Sequence, residues 1–288
     1  MIEALFEYQF LQNAVISGIF ASVVCGIIGV IIIEKKLVMM SGGIAHTSYG
    51  GVGLGYLLNF EPIIGAFIFS LCAALGIGYI KRRNGARFDV LIGLFWSLGM
   101  ALGIVFIALM PGYPPALGSY LFGSILSVTK TDLYLIMGLS VIVTLVIVSL
   151  FNHWKAYLFD DEFASIAGIK TTFFEYLLLI LVAMSVVVLI RVVGIILVMA
   201  LLTAPAAAAG LLTYNLKNRM IYSTLLGCVY CFAGLWISYE MNVASGAAIV
   251  ILSVLCYLFI YTCRSVQNRV KAKKLQRRSS GSMQTMKG

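Results

Sequence analysis

Apolar runs of about 20 residues return along the whole chain, separated by short junctions that hold nearly all of its charge. A helix of that length rises about 30 Å, the thickness of a bilayer's hydrocarbon core. Lipid leaves backbone groups no other partner, so only helices or closed barrels cross it. The runs are too long and too unalternating for a barrel, which predicts an all-α polytopic membrane protein. Composition agrees: 61% of residues are hydrophobic and 11% charged, against about 25% charged in soluble domains. No hydrophilic stretch is long enough for a soluble domain, and MIEALFEYQFLQ, with two acids and no base, does not resemble a cleavable signal peptide.

In order, the spans read as 13–33, 37–58, 63–80, 90–110, 133–151, 174–190, 195–212, 221–238 and 247–263. That is about nine, or eight if one is re-entrant, and 116–127 (with LGSYLFGS) reads as a short re-entrant or surface helix. Nine spans place the N-terminus outside and the C-terminus in the cytoplasm. Of 20 Lys and Arg, 18 then face the cytoplasm, with Lys130 outside and Arg191 at a junction, as the positive-inside rule requires. Eight of these bases lie in the tail from Arg264 to Lys287, so the net charge of +9 sets orientation and not nucleic-acid binding. Residues 1–263 form one transmembrane domain, and 264–288 a basic tail expected to be disordered. The six cysteines fall within or at the ends of apolar runs, and the Cys228-x-x-Cys231 pair lies inside a span with no second pair, which argues against zinc or redox use.

One span differs from the rest. Ser41 to Gly55, SGGIAHTSYGGVGLG, holds six glycines and one of the two histidines. Each glycine inside a helix costs about 1 kcal/mol relative to alanine. The pairs Gly42-Gly43 and Gly50-Gly51 therefore imply a helix that is either broken or very closely packed, facing protein or a watery path and not lipid. His46 carries a lone pair near neutral pH and is a common transition-metal ligand. A lone His among small residues is more ordinarily a hydrogen-bonded packing residue, and the residues alone leave both readings open.

A second anchor is FDDEFASIAGIKTT, residues 159–172. Asp160, Asp161 and Glu162 make an acid-rich helix start, Phe163, Ala164, Ile166 and Ala167 a short amphipathic turn, and Gly168 a stop. Too short to span, this element suits either docking into a partner's groove or simple connection. Elsewhere, Asp89 beside Arg87 reads as an interface pair or a path residue. Arg191 bounds the outer mouth or snorkels. Glu240 sits in an outer turn open to an incoming ion, and Pro205 is expected to break its span and free carbonyls.

The motifs MMSGGIAHTSYGGVGLGY, DVLIGLFWSLGMALGI, LGSYLFGSIL, DDEFASIAGIKT, VVGIILVMALLTAPAAAAGLL and ISYEMNVASGAAIVIL follow one another over nearly the full length. Together they resemble the permease subunits of prokaryotic ABC importers for zinc, manganese or iron(II). The resemblance implies a multi-pass plasma-membrane protein and a transported divalent metal with no permanently bound cofactor. It implies as partners a separate ATPase subunit that carries the ATP, an extracytoplasmic metal-binding protein and a second permease copy. It makes 160–170 the helix that docks on the ATPase, and His46 a path residue with Ser41, Ser48, Glu240 and Asp89 as further candidates. Gly42, Gly43, Gly50, Gly51 and Pro205 would be its backbone or hinge positions. Many such permeases carry Asp four residues before that histidine and Pro four after; here both places are glycine. The missing carboxylate argues against a tight metal cage and for brief, weak contacts.

The sequence holds no GxxxxGK[ST] phosphate loop, so it is not expected to hydrolyse ATP itself. An ion-coupled secondary transporter of a small cation is the alternative, but it ordinarily needs carboxylates at membrane depth, and the spans offer almost none. An intramembrane hydrolase needs paired Asp, HExxH or a Ser-His pair with an oxyanion site; HExxH is absent, and His46 is the only intramembrane His.

Overall fold

Helices account for all the long apolar runs in the computed structural model, which describes residues 7–84, 88–111, 123 and 125–285. They are α1 (Gln9–Glu34), α2 (Val38–Leu57), α3 (Pro62–Asn84), α4 (Phe88–Ala108), α5 (Lys130–Ser149), α6 (Phe151–Phe159), α7 (Asp161–Ile166), α8 (Thr171–Val193), α9 (Ile195–Leu212), α10 (Leu216–Met241) and α11 (Ser245–Thr285), with a 3-10 turn at Ile125–Ser127. Among the described residues eight helices are long and apolar enough to cross a membrane. The remaining long helix, α2, has 20 residues and is mostly buried, but it is diluted by glycine, serine and histidine. The element expected at 116–127 lies outside the described residues except for Gly123 and the 3-10 turn.

α1, α8 and α9 form the interior. α1 packs against α5, α9 and α10, and α9 continues the layer to α10 and α11. α8 joins this group to a second one, α2 held between α3 and α4. The glycines of α2 explain that second group. A Cβ placed on Gly51 falls 2.0 Å from the Gly65 carbonyl oxygen of α3, and one on Gly53 falls 2.7 Å from that of Gly103 in α4. Seen from α4, a Cβ on Gly99 falls 2.5 Å from Thr47 Cα. Backbone therefore touches backbone on both sides, the arrangement that lets helices associate in lipid through close van der Waals packing. Thr47 stitches the contact, donating to the carbonyls of Gly43 (2.7 Å) and of Phe95 in α4 (3.0 Å). Of the two possibilities that the glycine pairs raised, the close-packed, unbroken helix is the one adopted.

The expected break at Pro205 is not found. α9 runs through it from Ile195 to Leu212, because one missing N–H and one crowded carbonyl are tolerated where neighbouring helices bury the site. A break is found at Gly194, with φ +81°, within the 191–194 junction expected between the spans 174–190 and 195–212, and glycine adopts that conformation without strain. The outer turn expected at 240–246 is shorter, since Glu240 belongs to α10, which Asn242 ends in the left-handed region at φ +52°. The polar stretch 215–219 already starts α10, with Asn215 Oδ1 accepting from Lys217 N–H at 3.0 Å. α11 continues as helix into the basic segment where a disordered tail was expected; its Lys, Gln, Arg and Leu are good helix formers extending a helix already nucleated.

Gly51→Ala should lower the melting temperature of the purified protein in detergent by several degrees, because overpacking costs about 1–3 kcal/mol even where side chains can yield. Gly93→Ala in α4, where a Cβ meets nothing within 4 Å, should not. Equal melting of the two variants would show that the α2–α3 contact is not what holds this group.

Candidate functional site

The site is built on α2, whose successive residues turn by about 100° and so address different neighbours. Gly43 and Thr47 face α4 and Gly51 faces α3. His46 presents its imidazole to Trp96 of α4, stacked with ring centroids 4.2 Å apart and planes 9° from parallel. Its Nδ1 is buried and has no hydrogen-bond partner among the described residues. Buried polar atoms are nearly always paired, so an orphaned ring nitrogen is a donor or acceptor held in reserve. Packing fixes the ring and leaves one of its nitrogens uncommitted.

The other predicted residues divide around this helix. Ser41 is buried; its hydroxyl donates to the Val38 carbonyl at 2.8 Å, with Met199 Sδ of α9 a second acceptor at 3.8 Å. A Cβ placed on Gly42 falls 3.1 Å from the Met199 methyl and 3.7 Å from the Trp96 ring, so the space a side chain would take there is already filled. Ser48 points elsewhere. It donates to the Ala45 carbonyl at 2.6 Å and lines a separate cavity of about 320 Å³ with Tyr56, Glu61, Ser127 and Arg191. Gly50 and Gly51 are packing positions against α4 and α3, and Pro205 is buried.

Asp89 is exposed in the first turn of α4, and its expected pairing with Arg87 lies outside the described residues. Glu240 is exposed near the end of α10, a helix packed on α1, α9 and α11 and not on α2. Neither is gathered to His46.

Arg191 closes the cavity that Ser48 lines. Its guanidinium pairs through Nε with Asp132 of α5 and through Nη1 with Glu61 at 2.8 Å. Asp132 is held in turn by a capping box, donating its N–H to Thr129 Oγ1 and accepting from the Thr129 hydroxyl (2.6 Å) and N–H (3.1 Å). Neither Glu61 nor Asp132 stood out in the sequence. The signal was the charge of Arg191 itself, which cannot be left unpaired near lipid, although its partners are 130 and 59 residues away.

The opposite end of the bundle gathers the basic residues. Lys35 pairs with Asp161, Lys81 with Glu175 at 2.8 Å, and Arg219 with Glu34. Here α7 begins at Asp160, whose carboxylate accepts from the N–H groups of Glu162 and Phe163 at 3.0 Å each. Ala164 is buried and seats the helix on the protein. Phe163 and Ile166, 63% and 86% exposed, project away from it, with Ala167 and Gly168 (φ +81°) ending the turn. Lys35 also lies 3.8 Å over the Tyr157 ring. Burial, with the nearby carboxylates of Glu175 and Asp161, pushes the Tyr157 phenol above its ordinary value, so the ring meets Lys35 uncharged. α6 is anchored by Trp154, fully buried and edge-on to Phe174 of α8 at 5.1 Å.

The CxxC has no cluster around it. All six cysteines are free, and Cys231 lies buried in packing contact with Gly18. No group of three or more His, Cys, Asp or Glu able to hold a metal occurs among the described residues.

Comparison with known proteins places this arrangement. The chain is 41% identical over 258 residues to a membrane protein of Synechocystis sp., slr2045 (90% of this chain, 92% of the relative). It is 36% identical over 272 residues to the manganese import system permease protein ScaB of Streptococcus gordonii (94% and 98%), and 33% identical over 273 residues to the manganese transport system membrane protein MntC of Listeria monocytogenes (95% and 97%). A solved structure, PsaBC from Streptococcus pneumoniae in complex with Fab, matches with a TM-score of 0.81 at 35% identity, covering 90% of this chain and 94% of that one. The pattern of one transport family matches residues 7–264. This multi-pass membrane protein belongs to the ABC 3 transport family.

Proposed function

We propose that this chain is the permease subunit of an ATP-driven importer that passes a divalent transition metal ion from an extracytoplasmic metal-binding protein into the cytoplasm. The observation that carries the reading is His46, held by Trp96 with Nδ1 uncommitted on a helix clamped between two others. Relatives named as manganese permeases support metal as the cargo class. Manganese, zinc and iron(II) all accept imidazole nitrogen, and a path must release as well as bind. A single histidine without a carboxylate at Gly42 gives brief contact and no trap.

Orientation follows from charge. The ion pairs of Lys35, Lys81 and Arg219 collect the bases at one end, which the positive-inside rule makes cytoplasmic. The Arg191 cavity then opens outward, where a binding protein delivers its metal, and the N-terminus lies outside. α7 lies at the cytoplasmic end with Phe163 and Ile166 unpartnered, the surface for an ATPase subunit. Lys35 ties α7 to the turn between α1 and α2, eleven residues before His46, so movement of the docked helix reaches the path through one side chain. A second copy of the permease completes the walls of the path.

Secondary transport is less well supported, because the described carboxylates lie at helix ends. Glu34, Glu61, Asp132, Asp161 and Glu175 are all paired with bases there.

Two outcomes test these roles. In liposomes holding permease, ATPase and binding protein, His46→Ala should abolish uptake of the transported metal while basal ATP hydrolysis and assembly persist; normal uptake would return His46 to packing. Phe163→Ala with Ile166→Ala should reduce co-purification of the ATPase by about ten-fold or more, the scale set by apolar anchors at an interface centre. Undiminished co-purification would remove α7 from the docking surface.

A further inference from the structure

We propose that Met199 is the residue that discriminates among cargo ions, its thioether joining the His46 imidazole in a neutral, soft transit site that favours zinc over manganese(II). The proposal rests on the reading of His46 as a path residue and adds its partner.

The geometry converges on the side of α2 at Gly42. Residues 39, 42 and 46 share a face of α2 by helical spacing, and a helical side chain leans toward the N-terminal turn, which brings the His46 ring over Gly42. A Cβ at Gly42 falls 3.1 Å from Met199 Cε and 3.6 Å from its Sδ, and 3.7 Å from Trp96, the ring stacked on His46. Indole and thioether therefore meet at Gly42, and the imidazole stacks on that indole. Ser41 steadies the sulfur, its hydroxyl 3.8 Å from Sδ. Met39, one turn nearer the basic end of α2 on the same face, is 58% exposed and adds a second thioether to the track.

The donor chemistry decides what passes. Carboxylate and carbonyl oxygens suit magnesium, calcium and manganese, whereas thioether and imidazole favour softer ions, and manganese(II) stands lowest among the divalent first-row ions for a given site. A thioether carries no charge and costs little to bury, so it adds selectivity without the depth of a carboxylate well. At Gly42 a carboxylate side chain would enter the volume Met199 occupies, so the two donors exclude one another sterically.

The test measures zinc and manganese uptake separately by the reconstituted complex, wild type beside Met199→Leu, a swap that keeps the volume. The expected result is a fall of about ten-fold in the zinc-to-manganese ratio, carried by a loss of zinc uptake. An unchanged ratio, or parallel loss of both metals, overturns the proposal. His46→Ala runs alongside: if it leaves both metals unaffected, the path reading fails, and if it stops uptake while Met199→Leu leaves the ratio intact, only the thioether's role fails. A second readout needs no transport. Silver(I) added to the permease–ATPase complex should quench tryptophan fluorescence, and the part of the quenching that disappears in Trp96→Phe should weaken about ten-fold in apparent affinity in Met199→Leu. Equal quenching in wild type and Met199→Leu removes sulfur from the site.

Discussion

The contact on which the rest depends is backbone against backbone, α2 pressed on α3 at Gly51 and Gly65 and on α4 at Gly53, Thr47, Gly99 and Gly103. In lipid no hydrophobic force drives helices together, and close approach of small residues takes its place. That approach sets the depth and rotation of α2, and with them the directions of His46, Ser48 and Gly42. Side-chain packing yields under strain by changing rotamer; a carbonyl oxygen against a Cα has no such freedom. The three helices are consequently held together as one unit.

How much of this the sequence displayed depends on the range over which each feature is encoded. The short helix α7 was legible because its determinants are local: Asp160 caps it, Gly168 stops it, and a run of acids leads into its apolar residues. The rotation of α2 was legible in principle, since 100° per residue already separates Ser48 from His46. Grouping Ser48 with His46 by nearness in sequence overlooked that rotation.

The partners were not legible. Gly65, Gly99 and Gly103 resemble any glycine in an apolar run until α2 is laid against them. Trp96 and Met199 read as ordinary membrane residues, and Glu61 and Asp132 as ordinary helix-end acids, for the same reason. Pro205 misled in the opposite direction: its local rule is to interrupt a helix, and tertiary packing overrode it, while the junction read at 191–194 is where the chain does break, at Gly194.

The trio of Arg191, Glu61 and Asp132 does not sum to zero. One guanidinium against two carboxylates leaves a single negative charge at the mouth of the cavity, and the donors deeper along α2 are neutral. At a distance of 10 Å and an effective dielectric of about 20, that charge attracts a divalent cation by roughly 3 kcal/mol. The electrostatic landscape is thus lopsided: a shallow basin at the entrance and a flat floor beyond it. On the path proposed above, an ion is gathered from dilute surroundings where gathering matters, and it meets no comparable well from which it must later climb out.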